Sequence, residues 1–372
     1  MVRPMHEPVE SSSDDEVSIA PIVAGFQNFS RIGSGSSSTV YSATQSQMNR
    51  PVAIKVMKAA LTSEIDRRAF ERECRAMGVL SQHPNIVTVY SDATTFDGRA
   101  CLVMELYHEN YRRILADRGP LALDELLLVG VKVAGALQAA HDTGVLHRDI
   151  KPHNVFVSDF GEPALGDFGI SSIDDERATA IDSGLSVAYA APEVIEDADA
   201  SFLSDVYSLA ATLHHLAAGD PPFSGGDLGS VAGRVVSETP PVLDRDDLPE
   251  SLQDLIRRGL SKVPNDRPDS AGDFAESLRD IRVEVGLDAA PIPLRRAERI
   301  PDVPVIDVAA MGGADRRIVS AQPGEQTLPE LVQAPSVSSE HRRPRVTDHV
   351  AVDIVIVLVV TALVIYAVSG LR

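Results

Sequence analysis

Hydrophobic residues fall along this chain in two successive rhythms. The stretches FQNFSRI, TVYSATQS and PVAIKVM alternate or run in β-branched residues, the period-two habit of half-buried strands. SEIDRRAFERECRAMGVLSQ interrupts them with apolar residues at helical spacing, which places Phe70, Met77 and Leu80 on one side. HPNIVTVYSDATTF and RACLVMELY return to strand chemistry. Past about Leu123 the pattern is mostly helical. LDELLLVGVKVAGALQAAHDTG predicts one long buried helix that stops at Gly144, and SDVYSLAATLHHLAAG, SLQDLIRRGL and SAGDFAESLRDIRV follow with the same period. A small sheet with one helix, then a larger helical lobe, predicts an α+β fold of two lobes, with ligands favoured in the cleft between them.

This patterning runs from Gly25 to about Leu287 and lapses on either side. Residues 1–24 include MVRPMHEPVESSSDDE, which has no apolar core after its arginine, so it reads as a disordered acidic tail rather than a signal peptide. Residues 288–349 mix scattered prolines with both charge signs and read as a disordered juxtamembrane linker. Val350–Val368, VAVDIVIVLVVTALVIYAV, is apolar throughout except for Asp353 and Thr361. At about 1.5 Å per residue it reaches roughly 28 Å, close to the hydrocarbon thickness of a bilayer. A transmembrane helix is therefore expected over 350–371. Arg342, Arg343 and Arg345 precede it and only Arg372 follows, which keeps the amino-terminal side in the cytoplasm. The expectation is a single-pass tail anchor in the cell membrane, without an outer domain, and with Asp353 near headgroup water.

Charge and cysteine content narrow the classes. A formal net charge of -20 argues against nucleic acid as a partner, whose phosphates need a basic face. Cys74 and Cys101 lie in apolar segments without metal-ligand spacing and read as buried thiols of a reducing cytosol.

The candidate chemistry begins at GSGSSSTV, Gly33–Val40, which alone is either a serine-rich turn or a lid over phosphates. Fifteen residues past Val40, VAIK ends at Lys55 on a predicted strand, and eighteen further on Glu73 lies on the predicted helix. Glu71 is the nearest rival, but the spacing to Leu80 favours Glu73. HRDIKPHN, His147–Asn154, follows the long helix; then come DFG at Asp167–Gly169 and APE at Ala191–Glu193. A glycine loop, an inward lysine and a helix glutamate together make a phosphate-gripping set.

Taken in this order, the motifs resemble the eukaryotic-like (Hanks-type) serine/threonine protein kinases, in the style of bacterial membrane kinases, over about 260 residues ending at the arginine of NDRPDS. The resemblance implies the bilobal protein-kinase fold. It also implies transfer of the γ-phosphate of ATP to protein Ser/Thr hydroxyls, autophosphorylation included, in membrane-associated signalling. ATP with Mg2+ (or Mn2+) is the implied cofactor set, and proteins with Ser/Thr acceptors are the implied partners. The implied nucleotide site comprises Ile32, Gly33, Ser34, Gly35, Val40, Ala53, Lys55, Glu73, Met104, Glu105 and Tyr107. Met104 stands as gatekeeper, and the Glu105 carbonyl and Tyr107 amide meet the base edge. Lys55 holds the α and β phosphates and Glu73 holds Lys55. Asp149 accepts the proton of the substrate hydroxyl, Lys151 balances charge on the transferring group, and Asn154 and Asp167 give the metal hard oxygen ligands. His147 reads as a packing residue, Glu193 and Arg267 as a buried ion pair, and Asp205 as a brace for the catalytic loop. Family analogy alone admits a homodimer through the smaller lobes.

Four positions depart from the family pattern. Ser38 replaces the third glycine of the loop, Ala210 stands where glycine is usual, and Leu185 with Ser186 stand for glycine–threonine. A serine hydroxyl at 186 can still bridge Asp149 and Lys151. Arg148, beside the catalytic aspartate, offers a cation to a phosphate in the activation segment. Ser171, Ser172, Thr179, Ser183 and Ser186 are the candidates, with Thr179 favoured. A pseudokinase scaffold is disfavoured because Lys55, Asp149 and Asp167 are all present. A small-molecule kinase is disfavoured by the APE motif, the long activation segment and Lys151.

Overall fold

A computed structural model describes residues 23–35, 37–60, 63–168, 186–196 and 198–293. The amino-terminal tail, the linker beyond 293, the span expected at 350–371, and Thr179 and Ser183 lie outside them. Among the described residues no helix is long and apolar enough to cross a membrane.

The smaller lobe is a five-stranded antiparallel sheet made of β1 (Phe26–Ser34), β2 (Ser38–Gln45), β3 (Arg50–Ala60), β4 (Val89–Thr94) and β5 (Arg99–Met104), in the order β1-β2-β3-β5-β4. β2 and β3 pair without a slip from Ser38↔Met57 to Gln45↔Arg50, which sets Val40 opposite Lys55. Because side chains alternate along a strand, Val52, Ile54 and Val56 enter one apolar cluster with Tyr41, Cys101 and Val103. Ala53, Lys55 and Met57 take the other face, where Met57 meets Phe70 of α1 (Glu64–Leu80). Phe70, Met77 and Leu80 are all buried, as the helical spacing predicts. Cys101 is buried as expected, whereas Cys74 is half-buried, since it faces the edge of the helix–sheet contact.

The larger lobe is built on α3 (Leu123–His141). Leu127, Val131, Ala134 and Leu137 are fully buried along it. A Cβ on Gly130 would come within 2.7 Å of a Leu278 methyl, so glycine permits the close approach of α8 (Ala271–Glu284). The helix ends three residues before Gly144, whose φ of 78° turns the chain into the catalytic loop. α5 (Phe202–Ala218) starts with a capping box from Ser201 and Ser204 and stops at left-handed Gly219. α2 (Tyr111–Arg118), α4 (Pro192–Ile195), α6 (Leu228–Ser237) and α7 (Glu250–Gly259) complete the α-helices among the described residues. Single 3-10 turns occur at 152–154, 187–189 and 264–266. A three-stranded sheet of β6 (Glu109–Asn110), β7 (Val155–Val157) and β8 (Pro163–Leu165) lies under the cleft.

Packing continues past both sequence-drawn edges of the domain. Val23 is buried and bridges to Thr95. Beyond Leu287, Arg282 donates to the Asp288 carbonyl, Ala290 is buried, and Ile292 and Pro293 lie over Gly135 of α3. His83, in the turn between α1 and β4, meets the Pro293 carbonyl through Nε2 at 2.5 Å.

Candidate active site

A cleft of about 480 Å³ opens between the lobes, and its lining divides by chemistry. Ile32, Val40, Ala53, Val87, Met104 and Phe156 make an apolar slot at one end. Lys55, Asp149, Lys151, Asn154 and Asp167 gather at the other. Residues from 32 to 167 therefore meet in one site.

The charged end rests on Asp205, from α5. Its carboxylate accepts the His147 and Arg148 amides, each at 2.8 Å, and His141 Nε2 at 3.0 Å. These bonds hold Arg148 at φ 66°, a conformation side-chain-bearing residues seldom adopt. His147 Nε2 donates to the Gly166 carbonyl at 3.0 Å and its Nδ1 accepts the Asp149 amide at 3.3 Å. One nitrogen donates and the other accepts, so the ring is neutral. Burial, the largest influence, holds its pKa below the ordinary value. The imidazole also packs on Phe168 at 4.5 Å between centroids, which fits the expected packing role.

Asp149 is fixed from three directions. Its Oδ1 accepts from Ser186 Oγ at 3.0 Å, and its Oδ2 accepts from Lys151 Nζ at 2.8 Å and Asn154 Nδ2 at 3.0 Å. Lys151 Nζ also donates to Ser186 Oγ at 2.9 Å. Serine in the threonine's place thus bridges Asp149 and Lys151, as the sequence led us to expect. Asn154 Nδ2 donates as well to the Asp149 backbone carbonyl at 2.7 Å. Its amide hydrogens are spent there, leaving the side-chain oxygen for a cation.

Across the cleft, Lys55 Nζ donates to Asp167 Oδ1 at 3.1 Å. The Lys55 cation is the first cause that holds the Asp167 carboxyl below the usual carboxylate range. Asp167 stands at φ 57°. A Cβ on the preceding Gly166 would meet Val87 at 2.6 Å and Phe156 at 2.9 Å, so only glycine allows this close turn. The side chain of Glu73 lies outside the described residues. Glu71, its rival, pairs with Arg75 at 3.3 Å on the exposed side of α1.

The residues fit a magnesium-bound nucleotide. Asp167 and Asn154 supply two oxygen donors, and Mg2+ characteristically takes its remaining ligands from phosphate and water. Cβ atoms built on Gly33 and Gly35 would touch nothing closer than 3.9 Å, and neither residue needs a positive φ. Packing does not explain these two glycines; close approach of a ligand to the backbone does. Ser34 lines the cleft with them. Ser38 is buried at the start of β2, its carbonyl closing the loop on the Gly35 amide at 2.8 Å. At the apolar end, the Glu105 amide is bonded to the Thr88 carbonyl at 2.9 Å, while the Glu105 carbonyl and Tyr107 amide have no bond among the described residues. Those two groups are the pair a base edge needs.

The structural pair is also present. Arg267, buried, makes a two-pronged contact with Glu193 at 2.7 and 2.8 Å, and Ser204 Oγ adds a third bond to Glu193 at 2.8 Å. Sequence reasoning missed Phe156, Val87 and Leu106 in the slot, and Asn110 and His153 beside the catalytic loop. An apolar residue two past the HRDIKPHN asparagine was the available signal for Phe156.

A two-lobed phosphotransferase architecture, with a nucleotide slot against a braced aspartate, is thereby defined. Residues 26–278 match the protein kinase domain. The chain belongs to the protein kinase family, in its bacterial eukaryotic-like serine/threonine branch. It is 43% identical over 282 residues to the serine/threonine-protein kinase PknK of Mycobacterium bovis, which covers 73% of this chain and 25% of PknK. PknE of the same organism is 32% identical over 272 residues, covering 72% of this chain and 48% of that protein. The crystal structure of the Mycobacterium tuberculosis PknI kinase domain superposes with a TM-score of 0.53 at 31% identity, over 69% of this chain and 96% of that one. The chain thus spans from a quarter to a half of the length of these curated relatives.

Proposed function

We propose that this chain transfers the γ-phosphate of ATP to serine and threonine hydroxyls of proteins, itself included, while held at a membrane. The observation that carries the reading is the closed set Asp149–Lys151–Asn154–Ser186 facing Lys55–Asp167 across one cleft. Phosphoryl transfer asks little covalent chemistry of a protein, so positioning and charge dominate. Asp149 is aimed by three donors, ready to accept and orient an acceptor hydroxyl. Lys151 sits at 2.8 Å from that carboxylate, where its charge offsets the negative charge of the transferring group. Lys55 is half-buried at the cleft and positioned for the α and β phosphates. Bound with the nucleotide, magnesium neutralises phosphate charge, and Asp167 and Asn154 would hold it.

Autophosphorylation is supported by the exposed guanidinium of Arg148 at the cleft, which suits a phosphate borne by Thr179 or another hydroxyl of the activation segment. The membrane tether is supported by the apolar run Val350–Val368 and the arginines before it. A homodimer through the smaller lobes rests on family analogy.

The test uses the full chain in detergent with labelled ATP and magnesium, beside Asp149→Asn and Lys55→Met. Wild type should label protein on serine and threonine, and both variants should fall to background. Equal labelling of all three would remove this cleft as the site of transfer. Deleting residues 346–372 should shift the protein from the membrane to the soluble fraction.

A further inference from the structure

The lid of the cleft is fastened by a residue that lies outside the cleft. Pairing between β1 and β2 runs out at Ser34↔Thr39, and pairing between β2 and β3 at Ser38↔Met57. Beyond those pairs the chain bends from Gly35, and both Gly35 and Ser37 line the cleft. Among the described residues three bonds hold the bend. The Gly35 amide donates to the Ser38 carbonyl at 2.8 Å, the Lys58 amide donates to the Ser37 carbonyl at 2.8 Å, and Lys58 Nζ donates to the Gly35 carbonyl at 2.6 Å. Backbone groups make the first two, so any residue except proline would supply them. Only the third depends on which side chain stands at position 58.

Alternation along β3 sets the side from which Lys58 approaches. Val52, Ile54 and Val56 enter the apolar cluster of the sheet, while Ala53, Lys55 and Met57 face the cleft and α1. Lys58 continues the first series past the edge of that cluster, where it is exposed. Its ammonium therefore meets the Gly35 carbonyl from the solvent side, and Lys58 is not among the residues that line the cleft. Lys55, Lys132 and Lys151 each pair with a carboxylate within 3.5 Å, whereas Lys58 has no ion pair among the described residues. Its charge is spent on the carbonyl, and a bond from an ionised donor is stronger than a neutral one.

A nucleotide under this bend leaves only when the bend lifts. We infer that Lys58 is a positioning residue that latches the lid at Gly35 and slows the release of nucleotide, while touching neither the nucleotide nor the acceptor. This deepens the protein-kinase reading and rests on it. Because both partners of the latch are exposed, water competes for each of them, and the bond retards opening without preventing it.

The test compares the full chain with Lys58→Met, which keeps a long side chain but has no donor, and with Lys58→Arg, which keeps donor and charge. Stopped-flow release of fluorescently labelled ADP should be about two- to tenfold faster from Lys58→Met than from wild type, the range of one hydrogen bond in water. The KM for ATP should rise by a similar factor while kcat stays level or rises. Lys58→Arg should bring release and KM back to within about twofold of wild type. A merely structural role would lower kcat and the melting temperature without this split. Unchanged release from Lys58→Met overturns the latch. So does a change confined to the association rate, the sign of a cation that only draws an anion in through solvent. Release as fast from Lys58→Arg as from Lys58→Met overturns it too. If wild type binds labelled ADP yet transfers no phosphate, the kinase reading falls and the release rates still decide the latch. If wild type binds none, both fall.

Discussion

The two walls of the cleft are built by opposite means. On the larger lobe every working group is tied down before a ligand arrives: Asp205 takes three bonds, Asp149 takes three, and Glu193 and Arg267 lock the helices beneath. On the smaller lobe the roof strand β1 is half-exposed or exposed throughout, and among the described residues Lys55 makes one ion pair, to a residue of the opposite wall. Preorganised charge belongs where the bond is made, since reorganisation there would cost rate. The roof needs to bend over a nucleotide and release it, so sparse bonding serves it.

If that contrast holds, substitutions on the lower wall should cost rate or fold, and those on the upper wall should cost nucleotide affinity. The largest effect is expected from Asp149→Asn, which should lower kcat by about a hundred- to ten-thousandfold with little change in nucleotide binding, read by single-turnover transfer and titration with a fluorescent nucleotide. Next, Arg267→Ala strands the half-buried Glu193 and should cost about 3–5 kcal/mol, visible as a large fall in the urea midpoint. A smaller loss in that assay would mean that the lower lobe is braced elsewhere.

Acid should weaken the lower wall. Burial holds His147, His214 and His215 below the ordinary imidazole value. Their unfolded counterparts titrate near about 6.5, so the unfolded chain binds more protons as pH falls below that. Stability present above about pH 6.5 is thus lost progressively toward pH 4, with His215 accounting for the lower end of the window. Melting temperatures between pH 7 and 4.5 should fall steadily, and a flat profile would contradict neutral burial of these rings. Smallest of all, Ser38→Gly, the family's usual residue, should cost under about 1 kcal/mol of stability, since it loosens the first pair of β2. Any effect on the KM for ATP should exceed the effect on kcat.

The same contrast explains what could be read from sequence. HRDIKPHN, VAIK, DFG and APE are contiguous because each must set a backbone as well as a side chain, and the structure brings Lys55, Asp149, Asn154 and Asp167 to one cleft as those motifs imply. The long α3 and the hairpin β2–β3 were legible because burial imposes an unbroken period. The helices α2 and α6 were not. α2 is eight residues long with three arginines, and α6 carries two glycines and three valines, so neither shows a strong helical signal. β6, β7 and β8 are too short for alternation to appear. Phe156 and Val87 meet under the base slot only after the chain has folded back, and the Tyr189–His215 bond joins residues 26 apart. Contacts of that kind leave no local trace.

The strap from Asp288 to Pro293 has a practical consequence for anyone cutting the protein. Truncation at 287 would strip Ala290 and Ile292 from the larger lobe, bare the small-residue patch around Gly135, and leave the His83 ring with no carbonyl to meet. An expression fragment ending there should be stickier and melt earlier than one six residues longer, and kinetic constants taken from it would describe a domain missing its last turn of wrapping.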